Sequence, residues 1–233
     1  MKLLTAEIIE IINEIARWKA ITQRELFKTH GRGKTYANFS IKMKALERAG
    51  LIKGFCEGNK GKYLILTKNG SQFSVHPYMD YESSGSLIHD LICTAVMKSL
   101  LEHPLFSSGT ALDYVKSPIQ PDGVIYAKRY GTSYLLAVEV ELNQKSQKRV
   151  HEKFVKYAND PEFHHVLYVT QKRSVYDAYG KILKGLHEEI ASRIALCLAP
   201  DLSPGGCDYL KATYWLRGKT LGFNDLFGEK NEG

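Results

Sequence analysis

Cysteine is scarce: Cys56, Cys93, Cys197 and Cys207 are the only four in 233 residues, and no two form a Cys-x-x-Cys pair. That spacing offers neither a zinc site nor a disulfide framework, and it suits a reducing compartment. No run approaches the about 18 consecutive apolar residues that span a bilayer. The first residues, Met1 to Glu7, reach an acid too early for a secretory leader, so a cytoplasmic protein without a membrane segment is expected. Walker-type glycine loops are missing, which argues against ATP use. Gly-x-Ser-x-Gly and Cys/His protease contexts are missing too.

Charge, by contrast, is present and unevenly placed. The net charge is +7. Residues 1–79 hold 14 Lys/Arg against 6 Asp/Glu, or +8, and residues 80–233 hold 18 against 19, or −1. The whole excess lies in the N-terminal third, which points to a polyanionic partner for that segment. With 44% apolar residues the chain is long enough for two modest domains, each with its own core.

In the N-terminal third, Ile8, Ile11, Ile12 and Ile15 recur at helical spacing behind the cap residue Thr5. Thr22-Gln23-Arg24-Glu25 is a capping box that opens a second helix carrying Leu26 and Phe27. A third helix, from about Thr35 to Ala49, turns Phe39, Met43 and Leu46 inward and ends at Gly50. Leu51–Lys53 and Tyr63–Leu66 read as strands around the basic turn 57–62. This order, with Ala45-Leu46-Glu47-Arg48-Ala49-Gly50-Leu51-Ile52 as the exit from the third helix, resembles the winged helix-turn-helix family. The resemblance implies a DNA-binding domain over residues 1–76, with Arg32, Lys34, Tyr36, Asn38, Lys42 and Lys44 facing the groove and Lys60 and Lys62 on the wing. Residues 77–86, from Pro77 into Ser83-Ser84-Gly85-Ser86, read as a linker.

Beyond it, residues 87–228 read as helix, hairpin, helix, strand, helix, strand, a mixed α+β or α/β layer architecture. Pro121-Asp122-Gly123 opens one apolar run, and Leu136–Leu142 forms another that carries Glu139 and Glu141 on a single face. A turn at 128–133 would fold the two strands together and set Asp122 near both glutamates. Three carboxylates on one face repel unless a cation lies between them, and a hard divalent ion with oxygen ligands is the usual answer. A solvated acidic sheet face is the plain alternative. Val150, Lys153, Phe154 and Tyr157 share one stripe of the next helix, so Lys153 either snorkels past the core or returns its ammonium to the carboxylates. Lys145 is the second choice for that cation. His89, with Asp90 at the start of the first helix of this segment, is a further candidate.

A helix, Pro-Asp, and Glu-x-Glu on the following strand resemble the PD-(D/E)xK nuclease superfamily, with Glu141 standing where lysine is usual. The ordered set of winged helix, His-Asp helix, Pro-Asp, Glu-x-Glu and Lys-x-x-x-Tyr resembles the replication-relaxation family, in particular the plasmid mobilisation relaxases of the MobC type, over roughly residues 5–200. That resemblance implies a bacterial enzyme with a restriction-endonuclease-like domain that uses Mg²⁺ or Mn²⁺ to nick double-stranded plasmid DNA at a transfer origin. Other mobilisation proteins would be its partners, and a homodimer is compatible with it. Asp122, Glu139 and Glu141 would hold the metal, and Lys153, Lys145 and His89 are the further catalytic candidates. Tyrosine-dependent relaxases carry a His-apolar-His site, whereas His164 and His165 are adjacent and point apart on a strand, so water is the expected nucleophile. The alternatives are a non-catalytic DNA-binding accessory or regulator built on a nuclease-like scaffold, and a restriction or repair nuclease. Residues 201–233 match nothing in this pattern, and 229–233 read as a tail.

The charge map makes a prediction. DNA affinity resides in residues 1–79 and falls steeply with salt, since each Lys/Arg contact with phosphate releases a counterion. Loss of Lys34, Lys42 or Lys44 weakens it. A fragment of residues 80–233 that binds origin DNA as tightly as the whole chain would refute the assignment.

Overall fold

The computed structural model describes residues 4–56, 61–78, 87–111, 117–129 and 131–228. These fall into two compact units, 1–94 and 95–233. In the first, α1 (Ala6–Arg17) is followed by the short strand β1 (Ala20–Thr22), α2 (Gln23–His30), α3 (Tyr36–Arg48), the strands β2 (Ile52–Cys56) and β3 (Lys62–Leu66), and the single turn α4 (Lys68–Ser71). The strands form an antiparallel sheet in the order β1-β3-β2. All three longer helices start as their sequences dictate, with the hydroxyls of Thr5, Thr22 and Thr35 accepting from the backbone N–H of Ile8, Glu25 and Asn38. Ile11, Ile12, Ile15, Leu26, Phe39 and Met43 are buried between these helices and the sheet. At the end of α3, Gly50 takes φ +69°, and its N–H and that of Leu51 close back on Glu47 and Leu46, which turns the chain into β2.

Helix α5 (Leu87–Leu100) contains the division between the units. The expected linker, 77–86, lies mostly outside the described residues, since only 77 and 78 are described. The first half of α5 belongs with the N-terminal unit, where Leu91 packs with Ala20, Tyr63 and Ile65 and the Thr94 hydroxyl donates to the Trp18 carbonyl at 2.8 Å.

The second unit is built on a seven-stranded mixed sheet. Its elements are β4 (Phe106–Thr110), β5 (Gly123–Arg129), β6 (Thr132–Val140), α6 (Gln147–Asn159), β7 (His165–Thr170), α7 (Arg173–Lys184), α8 (Glu188–Ala191), β8 (Ile194–Leu198), β9 (Thr213–Leu216), β10 (Lys219–Leu221) and α9 (Phe223–Phe227). The strand order is β10-β9-β8-β7-β6-β5-β4, with β6, β7 and β8 parallel and the remaining neighbours antiparallel. The expected antiparallel pair is the β5–β6 hairpin, in register from Gly123↔Val138 to Arg129↔Thr132. The parallel β6 and β7 are joined through α6, as such pairs require. The acid-bearing face of β6 is not a solvated one. Leu135 and Ala137, which share it with Glu139, are core residues with Val150, Phe154 and Tyr157 of α6 and Val175 and Tyr179 of α7.

Two local features fix the hairpin and the helix. Gly123 has no room for a side chain, because a Cβ there would meet Met97 Sδ of α5 at 2.8 Å. The Arg193 guanidinium donates to the carbonyls of Ala158, Asp160, Phe163 and His164 and so ties the end of α6 to the turn into β7. The strand expected within Tyr209–Leu216 is confined to Thr213–Leu216.

Candidate functional site

Asp122 stands one residue before β5, so the Gly123↔Val138 register sets it across from Glu139. Its Oδ2 accepts from the Val140 N–H at 2.7 Å, a bond that anchors the end of β6. Glu139 is 2% exposed and Glu141 7%. A charged carboxylate this deep needs partners, and α6 supplies two. Lys153 Nζ lies 2.6 Å from Glu139 Oε2, and the Tyr157 hydroxyl donates to Oε1. Lys153 and Tyr157 are one helical turn apart and lie on the same face. The Lys153 side chain keeps a third of its surface in solvent while its ammonium reaches the buried Glu139.

Burial first, and then the charge of Asp122, push the Glu139 carboxyl up to about 7, against the pull of Lys153 and Tyr157. Tyr157 is held well above the ordinary phenol range by burial and then by Glu139. Tyr168 on β7 pairs in register with Glu139, and its hydroxyl is buried with no hydrogen-bond partner among the described residues. Burial, followed by Glu139 and Glu141, raises its pKa well above normal. Tyr179 of α7 is raised by burial and then by the charge of Glu141 beside it.

The structure thus brings Asp122, Glu139 and Lys153 together, with Glu141 buried two residues further along the chain, just past the end of β6. Lys145 lies in the exposed loop between β6 and α6 and forms no ion pair among the described residues. His89 belongs to the N-terminal unit, with Nδ1 3.5 Å from Cys93 Sγ and 3.7 Å from Asp90 Oδ1. The tyrosines were missed by sequence reasoning as partners of the acids. Tyr157, expected only on the shared stripe of the helix, is both a core residue and a hydrogen-bond donor to Glu139. Its i, i+4 spacing from Lys153 was the available signal. Tyr168 sits in a strand buried on both faces, where no alternation marks a special side chain.

Asp122, Glu139 and Glu141 are the residues that could hold a hard divalent ion. The donors are carboxylate oxygens, as Mg²⁺ or Mn²⁺ prefers. The Tyr168 hydroxyl, on the residue paired with Glu139 and buried with no hydrogen-bond partner among the described residues, leaves one polar group there to be satisfied.

Of the residues assigned to DNA contact, Lys34 and Lys42 both pair with Glu7 of α1, the latter at 2.5 Å, and Lys62 pairs with Glu47. The two lysines at Glu7 lower its pKa through their hydrogen bonds. Tyr36 is 44% exposed and packs edge-on against Phe27. Arg32, Asn38 and Lys44 are exposed, and Lys60 lies outside the described residues.

Glu139 binds its proton more tightly folded than unfolded, since its ordinary value is 4.5. The folded state therefore holds more protons between those two values. The group's contribution to stability is fully present below pH 4.5 and is lost as pH rises through about 7. With chelator present, urea midpoints measured from about pH 5 to about pH 8 should fall in the wild type and fall much less in Glu139→Gln. Identical pH slopes in the two proteins would show that another group carries the effect.

No family model and no curated protein matches the chain. Among solved structures it is similar to the restriction endonuclease FokI at 13% identity and a TM-score of 0.23, covering 79% of this chain and 41% of that one. It is similar to FokI bound to DNA at 11% identity and a TM-score of 0.26, covering 74% of this chain and 40% of that one. The chain therefore spans about two-fifths of the length of the structures it matches. Likeness of this size is distant.

Proposed function

We propose that the protein is a metal-dependent DNA endonuclease whose N-terminal unit is a winged helix that binds double-stranded DNA and whose second unit carries a restriction-endonuclease-like active site. The single observation behind this reading is the buried Glu139 carboxylate, faced by Asp122, held by Lys153, and still pushed up to about 7. A carboxylate cluster of this kind is costly to fold and serves a structural purpose poorly. Asp122, Glu139 and Glu141 would hold Mg²⁺ or Mn²⁺, which supplies charge neutralisation and activation of a water. Lys153, a third exposed, would stabilise charge that develops on the phosphate, while Tyr157 keeps Glu139 oriented. Water is the nucleophile in this reading, because the tyrosines nearest the acids are buried and hold their protons tightly. The order of motifs extends the proposal to nicking at a plasmid transfer origin by a relaxase of the replication-relaxation family.

A second reading has its own observation. Both oxygens of Glu139 are already engaged, by Lys153 and Tyr157, which is a closed network that can stand without a metal. In that case the unit is a scaffold and the protein a DNA-binding accessory or regulator.

Supercoiled plasmid with or without a transfer origin, incubated with and without Mg²⁺ or Mn²⁺, separates the two. Asp122→Ala and Glu139→Ala are expected to abolish nicking with DNA affinity kept. Cleavage that persists in either variant or in excess chelator would sink the hydrolytic reading.

Lys153→Ala is expected to lower the nicking rate at least about 100-fold, the scale of losing one preorganised charge stabiliser. Lys145→Ala should cost much less. The reverse ranking would transfer the role to Lys145, and no effect from either would favour the scaffold.

A further inference from the structure

Helix α3 buries Phe39, Met43 and Leu46 and leaves the opposite side open. Along that side run Ala37, Ile41, Lys44, Ala45 and Arg48, all exposed, at helical spacings of four, three, one and three residues. Ile41 is the centre of the stripe and is 66% exposed. A single exposed isoleucine is ordinary. Here, however, three apolar side chains follow one another at i, i+4 and i+8, with the amide of Asn38 beside them. Lys44 and Arg48 on the same stripe form no ion pair among the described residues, and the one acid of α3, Glu47, is neutralised by Lys62. A surface that bound only phosphates would have no use for Ile41 at its middle, and Lys44 and Arg48, with no acid of α3 left to pair with them, suit a polyanion better than a neutral protein surface.

An α-helix fits the major groove, where thymine presents a 5-methyl group and adenine a paired donor and acceptor that suit an asparagine amide. We propose that the exposed stripe of α3 reads A·T pairs in the major groove: Ile41, flanked by Ala37 and Ala45, packs against a thymine methyl, Asn38 reads an adjacent adenine, and Lys44 and Arg48 hold the backbone. This rests on the DNA-binding reading above and adds the base class that is read.

The test uses the full-length protein and a pool of duplexes with a randomised centre. The selected sequence should contain thymine and adenine in neighbouring pairs. Each dT is then replaced by dU, which lacks only the 5-methyl group. At least one replacement should weaken wild-type binding about fourfold, the effect of one buried methyl-sized group. Ile41→Ala should bind the dT and dU duplexes alike, Asn38→Ala should relax the adenine requirement, and Lys44→Ala should weaken every duplex equally. Wild-type indifference to every dU, a pool that returns no preferred sequence, or a dT preference that survives Ile41→Ala would each overturn the proposal. So would an Ile41→Ala that converts a dimer to a monomer in light scattering with the dT preference intact, since the stripe would then cover a second copy. A protein that binds no duplex at all is a different result and removes the DNA-binding reading itself.

Discussion

Burial of the Glu139 carboxylate under α6 is the constraint from which most of the second unit follows. An isolated ionised carboxylate in a low-dielectric interior is too costly to persist, so it must be neutralised, paired or both. All of these responses are visible. Lys153 and Tyr157 pair with it, and its pKa rises to about 7 so that the neutral form competes. Replacing one partner would leave the rest of the network buried and unsatisfied, which is why α6 must sit where it does.

Several features at a distance serve that placement. The bond from the Val140 N–H to Asp122 fixes the end of β6 relative to β5, and the glycine at 123 lets α5 approach closely enough to cover the other face. At the far end of α6, Arg193 gathers four carbonyls from the turn into β7. The C-terminal end of α6 is thus tied down by Arg193, just before β8, while the strand that carries Glu139 is anchored at its end by Asp122.

Much of this was legible in the sequence because it rests on short-range rules. The caps at Thr5, Thr22 and Thr35, the glycine stop at Gly50 and the Glu139/Glu141 alternation are all readable within a few residues. Lys153 was legible as one of two cations because helical spacing alone puts it on the inward stripe. What could not be read depends on tertiary contacts. Strand β1 is three residues long and exists because β3 pairs with it, and β4, with its polar Ser107-Ser108-Gly109, has no apolar alternation to announce it. The expected solvated alternative for the acid face failed because α6 and α7 both fold over that side of the sheet. Tyr168 and Tyr179 join the acids only through the parallel crossover, which no local window contains. The C-terminal strands and α9 cohere through contacts such as Phe223 and Phe227 with Tyr214 and Phe106, again beyond local reading.

On the DNA-binding reading proposed above, the pairing of Lys34 and Lys42 with Glu7 bears on how this surface would meet a polyanion. Two of its cations share one carboxylate from α1, so the three groups together carry a formal net charge of +1 and not +2. An incoming phosphate would have to compete with Glu7 for both ammoniums. The number of ions released on binding is then smaller than a count of lysines suggests. Glu7, although it would repel the ligand, thereby sets how strongly ionic strength governs the encounter.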